Sequence, residues 1–195
     1  MADVTVSEQK SLARKRLIKN RLALTAEQLS TSSAALCQEL IGLREFIDAD
    51  TVLLFYPTKN EPDLLDVARE ALALGKDVAF PISIKDTCTL EFRCIGELSN
   101  LSAGAYDICE PSRDARAPAI TERTLCVLPA LAFDKKGFRL GYGKGYYDRL
   151  LSAFRGITAG PAMNGYLCEA LPADTHDIPA DIVITETGVI RTKCH

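Results

Sequence analysis

The spacing of apolar and polar residues over the first part of the chain has the period of helices, from Val6 to Arg44. A first segment, KSLARKRLIKNRLAL, is followed by Thr25-Ala-Glu-Gln, where Thr25 suits a helix N-cap and Gln28 holds the capping-box position. A second helical segment ends near Gly42. The pattern therefore predicts an N-terminal hairpin of two helices joined by a tight turn.

The next segments have the pattern of a β-α-β unit. The apolar run TVLLFYP stops at Pro57, the turn KNEPD opens a helix DLLDVAREALALG that ends at Gly75, and KDVAFP is a second short strand. Further strands are predicted in TLEFRCI, TLCVLPALAF, GITAGPAM and DIVITETGVI, and a helix in YYDRLLSAF. Strands that alternate with helices indicate an α/β fold, a three-layer sandwich whose mostly parallel central sheet is covered by helices.

Composition is that of an ordinary globular protein and narrows the classes of partner. With 195 residues, 47 % hydrophobic and 25 % charged, we expect a single domain over residues 1–195. No apolar stretch has the length of a membrane span and the start lacks an export signal, so we expect a cytoplasmic protein without a membrane partner. A monomer is the default expectation. The net charge of −3 argues against a nucleic-acid partner, although it permits a local site for a small anion.

The cysteines do not suggest a metal site. There are seven, an odd number, and no CxxC pair occurs among them. Without ligand spacing or an export signal, they are interpreted as buried or incidental thiols.

The main candidate for a functional site is the stretch GFRLGYGKGYYDR, residues 137–149. The stretch lies between a predicted strand and a predicted helix, and ligands of open α/β sheets gather where strands end in such loops. Glycines let several backbone N–H groups approach one anion, and Arg139 and Lys144 add positive charge. These features favour a phosphate site over the alternative, a flexible surface loop whose glycines only form turns.

Two standard phosphate loops do not fit this stretch. A Walker A motif, GxxxxGK[ST], would need glycine at Phe138 and serine or threonine at Gly145. The dinucleotide fingerprint GxGxxG is also unmatched, because the glycines here follow a GxGxG spacing. The sequence therefore excludes both of these nucleotide-binding classes.

A second basic group lies on the first predicted helix. Lys10, Arg14 and Arg21 fall within about 40° of one another around the helix axis. Such a stripe is either solvated surface or an anion-binding cluster, and its presence beside a phosphate-type loop favours a polyanionic substrate.

The stretch LPALAFDKKGFRLGYGKGYYDRLL resembles the signature of the 5-formyltetrahydrofolate cyclo-ligase family, approximately PGxxFDxxGxRLGxGxGYYDRxL, with Ala130 where the family usually has glycine. The likeness extends to the KxxxR of Lys10 and Arg14, to FYPTKNEPD, GKDVAFP and DICEP, and to the ending LPxxxHDxxxDxVITE over residues 171–186. The resemblance implies the fold of sugar-phosphate isomerases and CoA-transferases. It also implies an enzyme that uses ATP and Mg²⁺ to convert 5-formyltetrahydrofolate into 5,10-methenyltetrahydrofolate, with release of ADP and phosphate.

The resemblance also implies roles for particular residues. Catalytic roles fall to Lys144 and Arg139, and Mg²⁺ ligation to Asp148 and, as a weaker candidate, Asp177. Implied ATP-binding residues are Lys10, Arg14, Arg139, Leu140, Gly141, Tyr142, Gly143, Lys144, Gly145, Tyr146 and Tyr147. Implied folate-binding residues are Tyr56, Glu61, Tyr142, Gly143, Lys144, Gly145 and Tyr146. Position 142 varies in the family, where some members carry arginine.

The implied chemistry agrees with the residue types present. Phosphorylation of the formyl oxygen makes it a leaving group, and N10 then attacks the formyl carbon. Fixed N–H groups and cations would stabilise the charge on the phosphoryl oxygens, and no enzyme nucleophile is needed. Glu61 and Asp148 also have a simpler interpretation, as acids that stabilise a helix N-terminus.

Two other functions stay open at the level of sequence. One is an enzyme of the sugar-phosphate isomerase or CoA-transferase type, which would leave the N-terminal KxxxR unexplained. The other is a protein that binds folate or nucleotide without turnover.

Overall fold

The computed structural model describes residues 5–192, and residues 1–4 and 193–195 lie outside the described part. The helices are α1 (Val6–Leu22), α2 (Ala26–Ile41), α3 (Arg44–Asp48), α4 (Leu65–Ala73) and α5 (Tyr146–Leu151). The strands are β1 (Thr51–Leu53), β2 (Asp77–Ile84), β3 (Thr89–Ile95), β4 (Ser102–Ala103), β5 (Cys109–Glu110), β6 (Thr124–Val127), β7 (Ala132–Asp134), β8 (Arg139–Leu140), β9 (Ile157–Pro161), β10 (Leu167–Cys168), β11 (Ile182–Thr185) and β12 (Gly188–Arg191).

A seven-stranded sheet forms the centre of the fold, with strand order β12-β11-β9-β6-β1-β2-β3. The five inner strands pair in parallel, and the two edge strands, β12 and β3, pair antiparallel to their neighbours. The prediction of a mostly parallel α/β sheet is thus confirmed. Two small sheets, β10-β7-β8 and β4-β5, were not predicted from the sequence.

Both faces of the central sheet are covered. Successive residues of a strand point to opposite faces, so Val52 joins the apolar cluster that contains α2 and α4 residues, whereas Leu53 joins the cluster that contains Leu151 of α5. The same alternation separates Leu125 from Cys126 in β6. The molecule is therefore a three-layer α/β sandwich, and burial of each large core side chain contributes about 1.5 to 3 kcal/mol.

The N-terminal helical hairpin is confirmed, with a capping box at each helix start. Thr5 and Glu8 cap α1, and Thr25 and Gln28 cap α2 as predicted. Within α1 only Leu17 and Arg21 are buried, so polar contacts contribute much of its attachment to the rest of the molecule. Among the helices of residues 5–192, none is long and apolar enough to cross a membrane.

The predicted strand TLCVLPALAF is wrong as a single element. β6 ends at Val127, and the chain turns through Pro129 before β7 begins at Ala132. Proline has no amide hydrogen to donate to a neighbouring strand, which is consistent with the end of β6 before Pro129. The helix after the glycine loop ends at Leu151 rather than Phe154.

Candidate active site

A cavity of about 340 Å³ opens where the inner strands end. The segment after β1 contributes Tyr56, the far part of β2 contributes Pro81 and Ser83, and Pro129 follows β6. β1 stops at Leu53, which pairs with Ala79, so β1 does not extend alongside Pro81 of β2. Pro81 can therefore lack an amide hydrogen without the loss of a hydrogen bond to β1. The cavity therefore occupies the carboxyl edge of the sheet, the place where α/β folds bind ligands.

The cavity brings together all residues that the resemblance singled out. They come from α1, from residues 56–61, from residues 139–148 and from Asp177 near the end of the chain. Those lining it are Lys10, Arg14, Tyr56, Glu61, Arg139, Leu140, Gly141, Tyr142, Gly143, Lys144, Gly145, Tyr146, Tyr147, Asp148 and Asp177. Their individual roles stay predictions, because position alone does not assign them.

At one end of the cavity, which we call the cationic end, basic side chains are paired with the two candidate metal ligands. Lys10 Nζ donates to Asp177 Oδ2 at 2.5 Å. Arg139 Nη2 donates to Asp148 Oδ1 at 2.5 Å, and Nη1 of the same side chain donates to the Ile178 carbonyl at 2.7 Å. The Arg139 side chain is only 6 % exposed, so this guanidinium is held from two sides.

The first helix crosses the glycine loop at the same end. Arg14 Nε donates to the Gly141 carbonyl at 2.9 Å. Gly143 has φ +94°, and a Cβ there would lie 3.1 Å from Arg14 Cζ. Glycine is required at this position both for the left-handed backbone and for the close approach of the guanidinium.

Lys144 extends from the loop onto an aromatic ring. Its ammonium lies 4.1 Å from the ring centroid of Tyr106, and Lys85 Nζ lies 4.7 Å from the same centroid. The hydroxyls of Tyr106 and Tyr146 are 3.2 Å apart. This hydrogen bond raises the pKa of Tyr146 to about 12.

Elsewhere in the cavity, Glu61 is a nearly inaccessible carboxyl. The residue is 4 % exposed, and its Oε2 accepts the Thr58 N–H at 3.1 Å. Burial raises the pKa of Glu61 to about 7, although the Thr58 N–H and the positive charges of Arg21 and Lys59 act in the opposite direction. Glu61 is thus poised to gain or lose a proton near neutral pH, which is uncommon for a structural helix acid.

The turn that carries Glu61 has an unusual backbone. Lys59 and Asn60 are consecutive non-glycine residues with φ of 48° and 57°. Asn60 Nδ2 donates to the Arg21 carbonyl at 3.1 Å, which ties the turn to α1. Lys59 Nζ also lies 5.0 Å from the ring centroid of Tyr142. Left-handed residues of this kind cost free energy and cluster at functional sites.

The predicted stripe of three cations on α1 is wrong for its last member. Lys10 and Arg14 line the cavity, but Arg21 does not. The Arg21 guanidinium is buried at 3 % exposure, donates through Nη2 to the Leu131 carbonyl at 2.8 Å, and packs 5.1 Å from the Tyr166 ring centroid. Helical periodicity placed the three residues on one face, but that face runs from the open cavity into the molecule.

The two candidate metal ligands fit a magnesium site completed by the substrate. Among residues 5–192, no group of three or more His, Cys, Asp or Glu side chains could hold a metal ion. Mg²⁺ with nucleotides is commonly held by one or two carboxylates together with phosphate oxygens and water. Asp148 and Asp177 both face the cavity beside cations suited to phosphates, which is consistent with that arrangement.

Some cavity residues were missed by reasoning from the sequence alone. They are Thr58, Lys59, Ser83, Tyr106, Ile108 and Glu110. The KNEPD segment was interpreted as a turn that opens a helix, and DICEP as part of the family pattern. Neither has the glycines that mark the loop at residues 137–149. The left-handed φ of Tyr106, 60°, has no signal in the sequence either.

Comparisons with known proteins identify the family. The sequence model of the 5-formyltetrahydrofolate cyclo-ligase family matches residues 6–186. The 5-formyltetrahydrofolate cyclo-ligase of Mycolicibacterium smegmatis is 30 % identical over 94 % of this chain and 97 % of its own, and the mouse enzyme of the same name is 28 % identical over 95 % and 98 %. The NMR structure of 5,10-methenyltetrahydrofolate synthetase from Aquifex aeolicus superposes with a TM-score of 0.84, at 33 % identity, covering 95 % of this chain and 94 % of that one. The chain therefore belongs to the 5-formyltetrahydrofolate cyclo-ligase family of enzymes.

Proposed function

We propose that this protein converts 5-formyltetrahydrofolate and ATP into 5,10-methenyltetrahydrofolate, ADP and phosphate. The observation that carries the proposal is one cavity that holds two different sets of side chains. Lys10, Arg14 and Arg139 are cationic and line it with the glycine loop, and Glu61 contributes a buried carboxyl. A polyanion and a heterocycle with N–H donors are the ligands that these two sets suit.

The reaction starts with transfer of the γ-phosphoryl group to the formyl oxygen. The bond from the γ-phosphorus to the bridging oxygen breaks and ADP leaves with that electron pair, while a new P–O bond forms to the formyl oxygen. N5 contributes its lone pair, so the product is an iminium phosphate. Charge on the transferring oxygens is stabilised by Arg139, which is fixed by Asp148 and the Ile178 carbonyl, and by Lys144.

Ring closure completes the reaction. N10 attacks the formyl carbon, the C–O bond breaks and phosphate leaves with the electron pair, and the N10 proton passes to solvent. The chain has to hold N10 near the formyl carbon and exclude water from the iminium phosphate. Tyr56, Tyr142 and Tyr146 provide aromatic surface around the cavity for this purpose.

Glu61 orients the folate in this proposal. In its ionised form the carboxylate accepts hydrogen bonds from the N–H groups of the pterin ring. Because the pKa of Glu61 is raised to about 7, folate affinity is expected to increase as pH rises through that value.

Magnesium is proposed to accompany ATP. When bound it would neutralise phosphate charge, and Asp148 and Asp177 are the residues that would hold it. Both are paired with cations of the cavity in this structure, and those cations are the proposed partners of the phosphates.

The direct test combines the purified protein with 5-formyltetrahydrofolate, ATP and Mg²⁺ and follows the absorbance of the methenyl product. Product that depends on all three components supports the proposal. Binding of both ligands without product would instead indicate a folate-binding and nucleotide-binding protein without turnover. Absence of nucleotide binding, measured by calorimetry, would contradict the proposal itself.

A further inference from the structure

A segment without helix or strand, residues 171–180, runs along the cationic end of the cavity; we call it the strap. It carries Asp177, whose carboxylate pairs with Lys10, and the Ile178 carbonyl, which accepts from Arg139. One short turn inside the strap is fixed by the Asp174 N–H, which donates to Asp177 Oδ2 at 2.6 Å. Two of the proposed phosphate ligands thus depend on where the strap lies.

One end of the strap is held by Asp134, a residue to which the family resemblance assigned no role. Asp134 is 2 % exposed, and its Oδ2 accepts the Leu171 N–H at 3.0 Å. Its Oδ1 accepts the N–H groups of Lys136 and Phe138, both at 2.9 Å, in the turn that leads directly to Arg139. A single buried carboxylate therefore connects the strap to the hairpin that positions Arg139.

The other end of the strap is tied to the same turn through Gly137. The Ala180 N–H donates to the Gly137 carbonyl at 2.9 Å. Gly137 has φ +87°, and a Cβ at this position would lie 2.4 Å from the Ala180 carbonyl oxygen. Any other residue would have to adopt a strained backbone and push this end of the strap away.

We propose that Asp134 is a positioning residue for the nucleotide half of the active site, acting through the strap and the turn at residues 135–138. This proposal rests on the proposed function, because it assumes that the cationic end binds the nucleotide. It assigns no contact between Asp134 and any ligand. What it predicts is a separation of effects, in which loss of the Asp134 contacts weakens nucleotide binding and leaves folate binding at Glu61 intact.

The chemistry of the site supports positioning over simple packing. A buried carboxylate is costly unless its oxygens are satisfied, and an apolar side chain could fill the same volume at lower cost. The two carboxylate oxygens of Asp134 accept three backbone N–H groups, two in the turn and one in the strap. Charge-assisted bonds to backbone fix the relative position of these segments more strictly than apolar contact does.

The test uses Asp134→Asn and measures binding of MgADP and of 5-formyltetrahydrofolate separately by calorimetry. The carboxamide keeps the size of the side chain but cannot accept all three N–H groups, because one of its two polar atoms is itself a donor. We expect the Kd for MgADP to rise about tenfold or more, as is usual when a supporting hydrogen bond behind a ligand is lost. The Kd for the folate should change less than about twofold, and amide exchange should become faster in the strap.

A second variant and a matched control make the result decisive. Gly137→Ala leaves the carboxylate intact, moves the other end of the strap, and should give the same loss of MgADP affinity, which also covers the case in which Asp134→Asn does not fold. Thr124→Val removes a buried hydroxyl that accepts the Thr121 N–H at 2.9 Å at the start of β6, and should leave both affinities unchanged.

Three outcomes separate the possibilities. Selective loss of MgADP binding supports the assignment. Equal loss of both affinities, or unchanged MgADP binding in a folded Asp134→Asn protein, overturns it while the proposed function stands. Failure of the unsubstituted protein to bind MgADP contradicts the proposed function instead.

Discussion

At the scale of single residues, Glu61 makes stability depend on pH. Its pKa is raised from 4.5 to about 7, so as pH rises from about 4.5 the unfolded chain ionises first and the folded state loses relative stability until about pH 7. Glu61→Gln removes this effect and keeps an acceptor for the Thr58 N–H. We expect the variant without ligand to be more stable than the unsubstituted protein at pH 8, by up to about 3 kcal/mol, and nearly equal at pH 5. Urea unfolding at the two pH values measures this.

The control for Glu61 is an exposed glutamate that carries the same charge. Glu70→Gln, on the outer face of α4, should change stability by little at either pH. A Glu61→Gln protein that is less stable than the unsubstituted one at pH 8 would show that the ionised carboxylate stabilises the fold, contrary to the expectation. The same variant should bind folate more weakly, because glutamine has one acceptor oxygen instead of two and carries no charge to strengthen the hydrogen bonds.

Lys144 is expected to act on the transition state. Its ammonium rests on the Tyr106 ring, 4.1 Å from the ring centroid. Lys144→Ala should lower kcat by about 100-fold to 1000-fold, as does loss of other groups that stabilise charge in a transition state, with a smaller change in the folate Kd. Lys85→Ala is the matched control, because Lys85 contacts the same ring but does not line the cavity. A kcat for Lys144→Ala equal to that of the control would remove this lysine from the mechanism.

At the scale of elements, the glycine loop depends on α1 as well as on its own sequence. Gly143→Ala would strain a backbone at φ +94° and place a methyl group 3.1 Å from Arg14 Cζ, so we expect MgADP affinity to fall about tenfold or more. Gly165 has φ +83° and open space around it, away from the cavity. Gly165→Ala should therefore have a similar cost in stability without a change in affinity, and calorimetry with both variants separates strain from displacement of Arg14. Equal nucleotide affinities would argue against a role for the close approach.

The sequence predicted those elements whose stabilisation is local and missed those that depend on distant partners. The capping box at Thr25 and the inner strands were predicted from the local sequence pattern, and the structure confirms them. The break at Pro129 could not be predicted from apolar run length, because the apolar run continues on both sides of the proline. Arg21 had the spacing of a site residue, yet packing against Tyr166 makes it part of the interior.

The candidate site was predictable to a similar extent. The glycine loop and the KxxxR pair could be found because charge and glycine concentrate in short stretches, and the family resemblance supplied Tyr56, Glu61 and Asp177. Tyr106 and Lys59 line the cavity from left-handed backbone conformations, which their residue types do not predict. The pairing of Asp177 with Lys10 joins positions 167 residues apart, and only the folded chain brings them together.

At the scale of the whole molecule, the site joins residues from near the start of the chain, Lys10 and Arg14, to Asp177 near its end. In the first helix Leu17 is buried, and Ala13 and Ile18 are partly buried against the same apolar core. Polar contacts run from Lys10 to the strap and from Arg14 to the loop. Segments held in this way open more readily than the core, and a ligand that bridges them should close them.

This gives a prediction for amide exchange across α1. Without ligand, its amides should exchange faster than those of α2, which buries Leu36 and Leu40 completely. MgADP should slow exchange in α1 about tenfold or more at saturating concentration, because opening would require release of the nucleotide. Folate alone should have a smaller effect, since the α1 side chains that line the cavity are Lys10 and Arg14, the proposed phosphate partners. The turn that carries Glu61 contacts α1 at its last turn, through the Asn60 bond to the Arg21 carbonyl. Hydrogen exchange followed by mass spectrometry measures both helices in one experiment, with α2 as the internal control. Exchange in α1 that is as slow as in α2 and insensitive to MgADP would mean that apolar packing, not the nucleotide site, holds this helix in place.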